Sequence, residues 1–309
     1  MEDEKIAAIG KNAYGRGQET IDASGKYILP GGVDNDSHFA LPFGGTWTRG
    51  FETTPAAIVG GTTTVVDFAP QPEGLSIKES VAKHSEERAE RTSVVDFAFH
   101  GMVMNANESI FDEIPSLAAA GIPTVKLFMA YKGTPFMVDD SVLFRALEAS
   151  KETGVTIMVH AENGDLIDAL QKQCLDQGQV EPKYHAVSRP PIVEPEATTR
   201  AVAIADLAEA PIFVVHVSCK EAMEAVRNGY EAGVAAYGET CPHYLTLGID
   251  NLSKPAFEGA KYVLPGPANA GPSRCPLAGS GPRLAPGRWL RSLRLRLART
   301  KASGCRRLH

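Results

Sequence analysis

The sequence lacks the features that define several common classes of protein. Its five cysteines are scattered through 309 residues without a Cys-x-x-Cys pair, which disfavours both a disulfide framework and a thiolate zinc site. No apolar run reaches the roughly 18 residues that a membrane-spanning helix needs. The opening residues also lack the basic-then-apolar order of a secretion signal. The sequence therefore predicts a cytoplasmic protein that has no membrane partner.

Acidic residues are absent from the last part of the chain. Residues 265–309 carry nine arginines and one lysine, a net charge of +10, whereas residues 1–264 carry −16. The acidic first part disfavours a nucleic-acid partner. We interpret residues 265–309, which are rich in Pro, Gly, Ala and Arg, as an unrelated basic tail of low complexity. The alternative is a basic arm that binds anions or RNA, which the acidic charge of the preceding part disfavours.

Residues 27–264 have the alternating pattern of an α/β protein. Short runs rich in Val, Ile, Thr and Phe alternate with longer helical patterns, which predicts βα units and a parallel sheet. The predicted strands are Tyr27–Leu29 continuing into Val33, Thr62–Phe68, Val94–Phe99, Thr124–Met129, Thr156–Val159, Pro211–Val217 and Val234–Tyr237. The predicted helices include Ser76–Arg91, Ser141–Glu152, Asp165–Asp176, Glu196–Glu209 and Lys220–Asn228.

Polar residues at the ends of these strands favour one α/β architecture over another. His38, Lys126, His160 and His216 each stand at or near a strand end, and a barrel gathers its active site from several strands onto one face. A doubly wound sheet often shows a glycine-rich phosphate loop, and no G-x-G-x-x-G is present. We therefore predict an incomplete TIM-like (β/α)8 barrel that lacks its last unit.

Lys126 is the most informative single residue, because its neighbours in Thr124–Met129 are apolar on both sides. A buried ammonium group must pair with a carboxylate, lose its proton or be chemically changed. One interpretation is a lysine paired with an Asp or Glu inside the barrel. The other is a neutral lysine that has reacted with CO2, giving a carbamate able to bridge two divalent ions.

Three histidines are candidate metal ligands. His160 and His216 each follow β-branched strand residues, and two such imidazoles near one lysine favour metal binding over a structural role for each. His38 follows the first strand, where a His-x-His pair is typical of metal hydrolases, but the first position is Asp36. Asp36 is a doubtful ligand, since turn chemistry also explains it together with Asp34.

Other titratable residues are weaker candidates. His84 lies in a charged helical stretch and is predicted to be solvated, while three further histidines cannot be placed. Cys219 and Cys241 have no evident activating partner, which disfavours a thiol nucleophile. The unplaced histidines are His100, His185 and His243.

Several motifs together resemble those of the hydantoinase and dihydropyrimidinase family of cyclic amidohydrolases. They are Leu29–Asp34 with His38 and Pro42–Gly45, Gly60–Asp67, Lys126–Gly133, Val159–Asp165, Val215–Cys219 and Gly238–His243. The resemblance runs from about residue 4 to 262. It implies a chain shortened at both ends, with a remnant of the family's small β-sandwich domain in residues 1–26 and the barrel core in residues 27–264.

The resemblance also implies a function. The expected reaction is hydrolysis of the cyclic amide of hydantoins or dihydropyrimidines to N-carbamoyl amino acids, with two divalent ions, zinc or alternatively manganese. It further implies that Lys126 is carbamylated and bridges the metals, and that Tyr131 binds the substrate and hydrogen-bonds the oxyanion. The ligand set it implies is His38, Lys126, His160 and His216. A homotetramer is expected, and a catalytically inactive fragment or a non-enzymatic structural relative is the alternative.

Overall fold

Seven parallel strands form one curved sheet in the residues that the computed structural model describes, which are 5–10, 19–43 and 45–264. The strands are β1 (Gly32–Ser37), β2 (Thr62–Pro70), β3 (Asp96–Met102), β4 (Thr124–Phe128), β5 (Thr156–His160), β6 (Ile212–Val214) and β7 (Ala236–Gly238). Each strand pairs in parallel with the next one along the chain. This confirms the predicted succession of βα units.

Helices connect the strands. They are α1 (Thr54–Val59), α2 (Ile77–His84), α3 (Ser109–Leu117), α4 (Asp140–Ser150), α5 (Gly164–Asp176), α6 (Tyr184–Val187), α7 (Val193–Ala208) and α8 (Lys220–Glu231). Polar side chains cap the starts of two of these helices. The Asp139 side chain accepts from Val142 N at the start of α4, and the Asn163 side chain accepts from Leu166 N at the start of α5. Among the described residues no helix is long and apolar enough to cross a membrane.

The sheet separates two apolar layers. Because side chains alternate along a strand, Val125 and Leu127 of β4 pack against the helices, while Lys126 and Phe128 face the other side. Phe128 packs there with residues from neighbouring strands, including Phe68 of β2. The inner layer is therefore the interior of a curved sheet, and Lys126 lies within it.

The curvature brings the first and last strands close together. Strands β1 and β7 each have one backbone-paired neighbour among the described residues, so the hydrogen-bond ladder is open. Their side chains nevertheless meet, since Asn35 Nδ2 in β1 donates to Glu239 Oε2 just after β7, at 2.5 Å. This architecture is that of a partial TIM-like barrel.

The first strand begins later than the sequence predicts. Tyr27 is 94% exposed and precedes β1, which begins at Gly32. A β-carbon on Gly31 would lie 2.0 Å from Thr63 Oγ1, so only glycine permits the chain to approach β2 there. Asp34 Oδ1 accepts from Asp36 N at 3.2 Å, so the predicted turn chemistry operates at Asp34, within an irregular part of the strand.

The prediction that His84 is solvated is wrong. Its side chain is 7% exposed, and His84 Nε2 lies 2.9 Å from Asp67 Oδ2, which is fully buried. The other Asp67 oxygen accepts from Phe39 N at 2.9 Å. His84 shares a helix face with buried Ile77 and Ser80, a spacing of three and four residues that identifies the inner face. This pair therefore links α2 to β2 and to the segment that follows β1.

Two predictions concern the ends of the chain. Residues 5–10 and 19–26 contain no described helix or extended strand, so the small β-sandwich remnant is not confirmed. The predicted basic tail, residues 265–309, lies outside the described residues.

Candidate active site

The curved sheet brings the predicted site residues to one end of its interior. Lys126 lies in the middle of β4, His160 ends β5 and His216 follows β6 by two residues. Asp36 lies near the end of β1 and His38 directly follows that strand. All five therefore lie within or toward the carboxyl half of parallel strands, where barrel active sites assemble.

Lys126 is buried without a direct counter-ion. Its side chain is 1% exposed, and its Nζ lies 4.1 Å from the centroid of the Phe68 ring. Among the described residues no carboxylate oxygen lies within 4.0 Å of Nζ, in contrast to a lysine held by a simple ion pair. Burial lowers the pKa of Lys126, although the charges of Asp36 and Glu239 oppose this shift.

Around Lys126, one buried histidine nitrogen lacks a hydrogen bond and two carboxyl groups face each other. His38 Nδ1 has no partner among the described residues, whereas Asp36 and Glu239 are close enough to share a proton between their side chains. His38 Nε2 lies 3.7 Å from Asp36 Oδ1. Burial and the negative charge of Asp36 raise the pKa of Glu239 to about 8. Because unsatisfied buried polar atoms are costly, this side of the site is suited to a ligand that supplies the missing contacts.

His160 and His216 form a second, well-bonded group. Their rings meet at His160 Nδ1 and His216 Nε2, 3.0 Å apart. On its other side, His160 Nε2 lies 2.6 Å from Glu162 Oε2. Arg189 Nε lies 3.9 Å from Glu162 Oε1. Burial acts to raise the pKa of Glu162, but the hydrogen bond from His160 and the charge of Arg189 outweigh it and hold that pKa below its ordinary value.

Two of the predicted site residues have strained backbones. Tyr131 has φ 71° and His216 has φ 39°, and both values lie in the left-handed region that side chains disfavour. Such strain costs about 1–3 kcal/mol and concentrates at functional sites. The Tyr131 ring centroid lies 5.0 Å from that of His160, so the tyrosine predicted to bind substrate borders the histidine pair.

His100 belongs to the support of the site. It lies in β3 with both ring nitrogens engaged, one by the Thr124 hydroxyl and the other by the Asn35 carbonyl oxygen at 3.0 Å. Its hydrogen bonds tie β1 and β4 to β3. His243 lies half-buried in the segment after β7, and its pKa is lowered by burial and raised by the charge of Asp36, with a net lowering.

Protein side chains alone do not form a closed metal cage. Among the described residues, no three His, Cys, Asp or Glu side chains converge closely enough to hold an ion. The cluster is instead centred on a lysine, which as an amine is not one of these ligand types. A separate open cleft of about 720 Å³ lies between the starts of α4 and α5, lined by Asn105, Asp139, Asp165 and Arg200 among others.

Sequence reasoning missed two carboxylates of this site. Glu162 and Glu239 stand in motifs that were recognised, but neither was singled out. The position of Glu162 two residues after His160 was an available signal, because alternate residues of an extended segment face the same way. Glu239 gave no comparable signal, since its contact with Asn35 joins the opposite edges of the sheet.

The sheet and its clustered side chains define an incomplete α/β barrel with titratable groups gathered inside the carboxyl end. No model of a known protein family matches the chain. The D-hydantoinase of Geobacillus stearothermophilus is 46% identical over 266 residues, 85% of this chain and 56% of the relative. The dihydropyrimidinase of Arabidopsis thaliana is 36% identical over 272 residues, 86% of this chain and 50% of the relative.

Solved structures of similar proteins point to the same family. The crystal structure of dihydropyrimidinase from Brevibacillus agri superposes with a TM-score of 0.80 at 46% identity, covering 85% of this chain and 57% of that chain. The aligned part of the chain therefore belongs to the hydantoinase and dihydropyrimidinase family. It spans about half the length of the curated relatives that it matches.

Proposed function

We propose that this chain carries the active-site barrel of a metal-dependent cyclic amidohydrolase. The reaction is ring opening of a hydantoin or a dihydropyrimidine by water, which gives an N-carbamoyl amino acid. The relatives named D-hydantoinase and dihydropyrimidinase support this class of substrate. The observation that carries the proposal is a fully buried lysine without a counter-ion, surrounded by imidazoles and carboxylates.

The residues of the site fit divalent metal ions. His38, His160 and His216 offer imidazole nitrogens, Asp36 offers a carboxylate oxygen, and these donors suit zinc or manganese. The unpartnered His38 Nδ1 and the buried Asp36 and Glu239 carboxyl groups beside it are the kind of groups that a cation would satisfy. When bound, the ions would act as Lewis acids on the amide carbonyl and activate water at neutral pH.

Lys126 would join the ligand set as a carbamate. Its neutral amine nitrogen forms a bond to the carbon of CO2, and one proton is released, leaving a singly charged group with two oxygens. Burial favours the neutral amine that this reaction needs, because it penalises the ammonium form. The resulting carboxylate-like group is able to bridge two ions.

Tyr131 would contact the substrate directly. Burial raises the pKa of its hydroxyl well above the ordinary value, so the group remains protonated and able to donate a hydrogen bond. A donor aimed at the carbonyl oxygen stabilises the negative charge that develops there when water attacks. Its strained backbone and its place beside His160 are consistent with this role.

The test is reconstitution of the full chain. The protein is purified, supplied with bicarbonate and either zinc or manganese, and assayed for metal content, for a mass increase of one CO2 on Lys126 and for conversion of hydantoin or dihydrouracil. We expect about two ions per chain and measurable ring opening. A folded protein that takes up metal and carries the carbamate but turns over neither substrate would overturn the proposed activity.

A non-enzymatic structural relative is the second candidate. It is favoured by Asp36 at the position of an expected histidine and by the lack of three converging metal-ligating side chains among residues 5–10, 19–43 and 45–264. This candidate predicts a folded, metal-free protein that forms a defined oligomer. Metal content and light scattering on the same preparation separate the two, and the expected tetramer is tested there as well.

A further inference from the structure

We infer that Glu162 is a positioning residue, which fixes the tautomer of His160 so that its Nδ1 lone pair faces His216. This inference rests on the metal site of the proposed function and deepens it, because it names the residue that orients His160 toward a cation.

The hydrogen bond between His160 and Glu162 decides where the proton lies. An ionised carboxylate only accepts hydrogen bonds, so the contact of 2.6 Å between Glu162 Oε2 and His160 Nε2 requires the proton on Nε2. Both side chains are nearly inaccessible, at 1% and 3% exposed, so water does not compete for this bond. When Nε2 carries the single proton of the ring, Nδ1 keeps a lone pair.

That lone pair points at the other histidine. His160 Nδ1 lies 3.0 Å from His216 Nε2, and two lone pairs cannot face each other at this distance without a bridging group. In the metal-free protein, the proton on His216 Nε2 is this bridging group. A cation would replace this proton, since both nitrogens are then free to act as ligands.

Glu162 has charged and polar neighbours on the side away from His160. Arg189 Nε lies 3.9 Å from Glu162 Oε1, and Arg189 Nη1 donates to His185 Nδ1 at 3.2 Å and lies 3.4 Å from Ser188 Oγ. These contacts anchor Arg189 to the segment around α6. The carboxylate therefore has a charged neighbour on the side away from His160, although Glu162 Oε1 makes no hydrogen bond. Partners of this kind behind a ligating histidine typically contribute 10–100-fold to metal affinity, as an order of magnitude.

The first measurement needs no variant. Long-range proton–nitrogen correlation spectra of the metal-free chain, labelled with ¹⁵N at its histidine rings, report which nitrogen of His160 is protonated. We expect Nε2 protonated and Nδ1 unprotonated. A spectrum with the proton on Nδ1 overturns the inference, whether or not the chain turns over any substrate.

The second measurement compares variants. Glu162→Gln keeps the shape, but its amide both donates and accepts, so the tautomer is no longer fixed. We expect the zinc dissociation constant, measured by competition with a chromophoric chelator, to rise by about 10–100-fold and the His160 nitrogen signals to move. Glu162→Asp keeps the charge one methylene further back, and a smaller rise is expected.

Glu113→Gln is the matched control. Glu113 accepts from the backbone nitrogens of Ile77 and Lys78, so its loss also removes carboxylate hydrogen bonds, but to the backbone of α2 and not to a histidine. We expect reduced stability with unchanged zinc affinity. Equal zinc affinity in wild type and Glu162→Gln, or an equal loss in Glu113→Gln, refutes the positioning role. Altered affinity in a chain without hydantoin turnover supports it while refuting only the proposed reaction.

Discussion

The two sides of the site differ in how the protein satisfies their polar atoms. The histidine side consists of His160, Glu162, Arg189 and His216, and both ring nitrogens of His160 have partners, at 3.0 Å and 2.6 Å, although Glu162 Oε1 makes no hydrogen bond and lies 3.9 Å from Arg189 Nε. The lysine side consists of Asp36, His38, Lys126 and Glu239; on it His38 Nδ1 is buried without a partner, and Lys126 has no carboxylate within ion-pair distance among the described residues. The protein therefore pairs the imidazoles of the histidine side with each other, whereas the imidazole and the amine of the lysine side lack close partners.

This difference indicates where a ligand contributes most. An unsatisfied buried polar atom costs about 1–3 kcal/mol, and His38 Nδ1 on the lysine side is such an atom, whose cost a suitable cation would remove. The histidine side carries no such cost at the contact between its rings. We therefore expect ligand binding to stabilise and reorganise the lysine side more than the histidine side.

Replacing Lys126 by methionine is expected to have the largest effect on the difference between the lysine side and the histidine side. If the lysine is a ligand precursor and not an ion-pair partner, Lys126→Met abolishes metal-dependent turnover and weakens metal uptake by more than the ~10–100-fold cost of losing an outer partner. The unfolding free energy of the metal-free protein stays the same or rises by up to about 1–4 kcal/mol, since an apolar side chain replaces a buried polar one.

Chemical denaturation and metal analysis of the same preparations check this prediction. Lys172→Met serves as the control, because Lys172 is 71% exposed and pairs with Asp168 on the surface of α5. It should change stability by no more than about 0.5 kcal/mol and leave metal uptake intact. A loss of about 3–5 kcal/mol in Lys126→Met would instead reveal a structural ion pair and remove the distinction between the two sides.

Tyr131→Phe tests the role of the tyrosine hydroxyl beside the histidine side of the site. Removing the hydroxyl should lower kcat by about 10²–10³-fold with little change in KM, because the donor acts on charge that develops only in the transition state. Steady-state kinetics with hydantoin measures both constants. Tyr27→Phe is the control, since that ring is 94% exposed. A rise in KM at constant kcat would assign Tyr131 to substrate binding alone.

The buried Glu194 is expected to have a smaller effect, on how the stability of the protein depends on pH. It accepts from Ser218 N at 2.8 Å and from the Ser218 hydroxyl, just after His216, and burial raises its pKa from 4.5 to about 7. Because the folded protein keeps a proton that the unfolded chain has lost, stability falls by about 3 kcal/mol as pH rises from 4.5 through 7 and then levels off.

Glu194→Gln should remove this fall. Unfolding free energies measured by denaturant at pH 5 and pH 8 would then be nearly equal in the variant, apart from contributions of other groups. The exposed Glu86→Gln should keep the wild-type pH dependence. An unchanged pH dependence in Glu194→Gln would show that the support behind His216 does not titrate in this range.

Most of the sheet was predictable because its signals are local. Each of the seven strands contains apolar, β-branched or aromatic residues within a few positions, and six of them lie within two or three residues of the predicted bounds at their first residue. The first strand was misplaced, since its residues Gly32–Ser37 are largely polar and become a strand only by pairing with β2. Helix α3 is not among the helices named from the sequence, and it contains Pro115, a residue that disfavours a helix interior.

The site was partly predictable for a related reason. Lys126, His160 and His216 are conspicuous because each interrupts or ends apolar strand sequence. Glu239 and the buried position of His84 were not found, since their partners, Asn35 and Asp67, come from other elements of the chain. Contacts between residues far apart in sequence leave no pattern in a single strand or helix.

The sequence by itself determined the order of the βα units, the burial of one lysine among apolar strand residues and the family to which the aligned part belongs. The tertiary structure alone decided which carboxylate faces which imidazole: Glu162 against His160, and Asp36 with Glu239 around the lysine. The physical reason is that strand periodicity fixes the side of the sheet that a residue faces, whereas the curvature of the whole sheet fixes its neighbours across the interior.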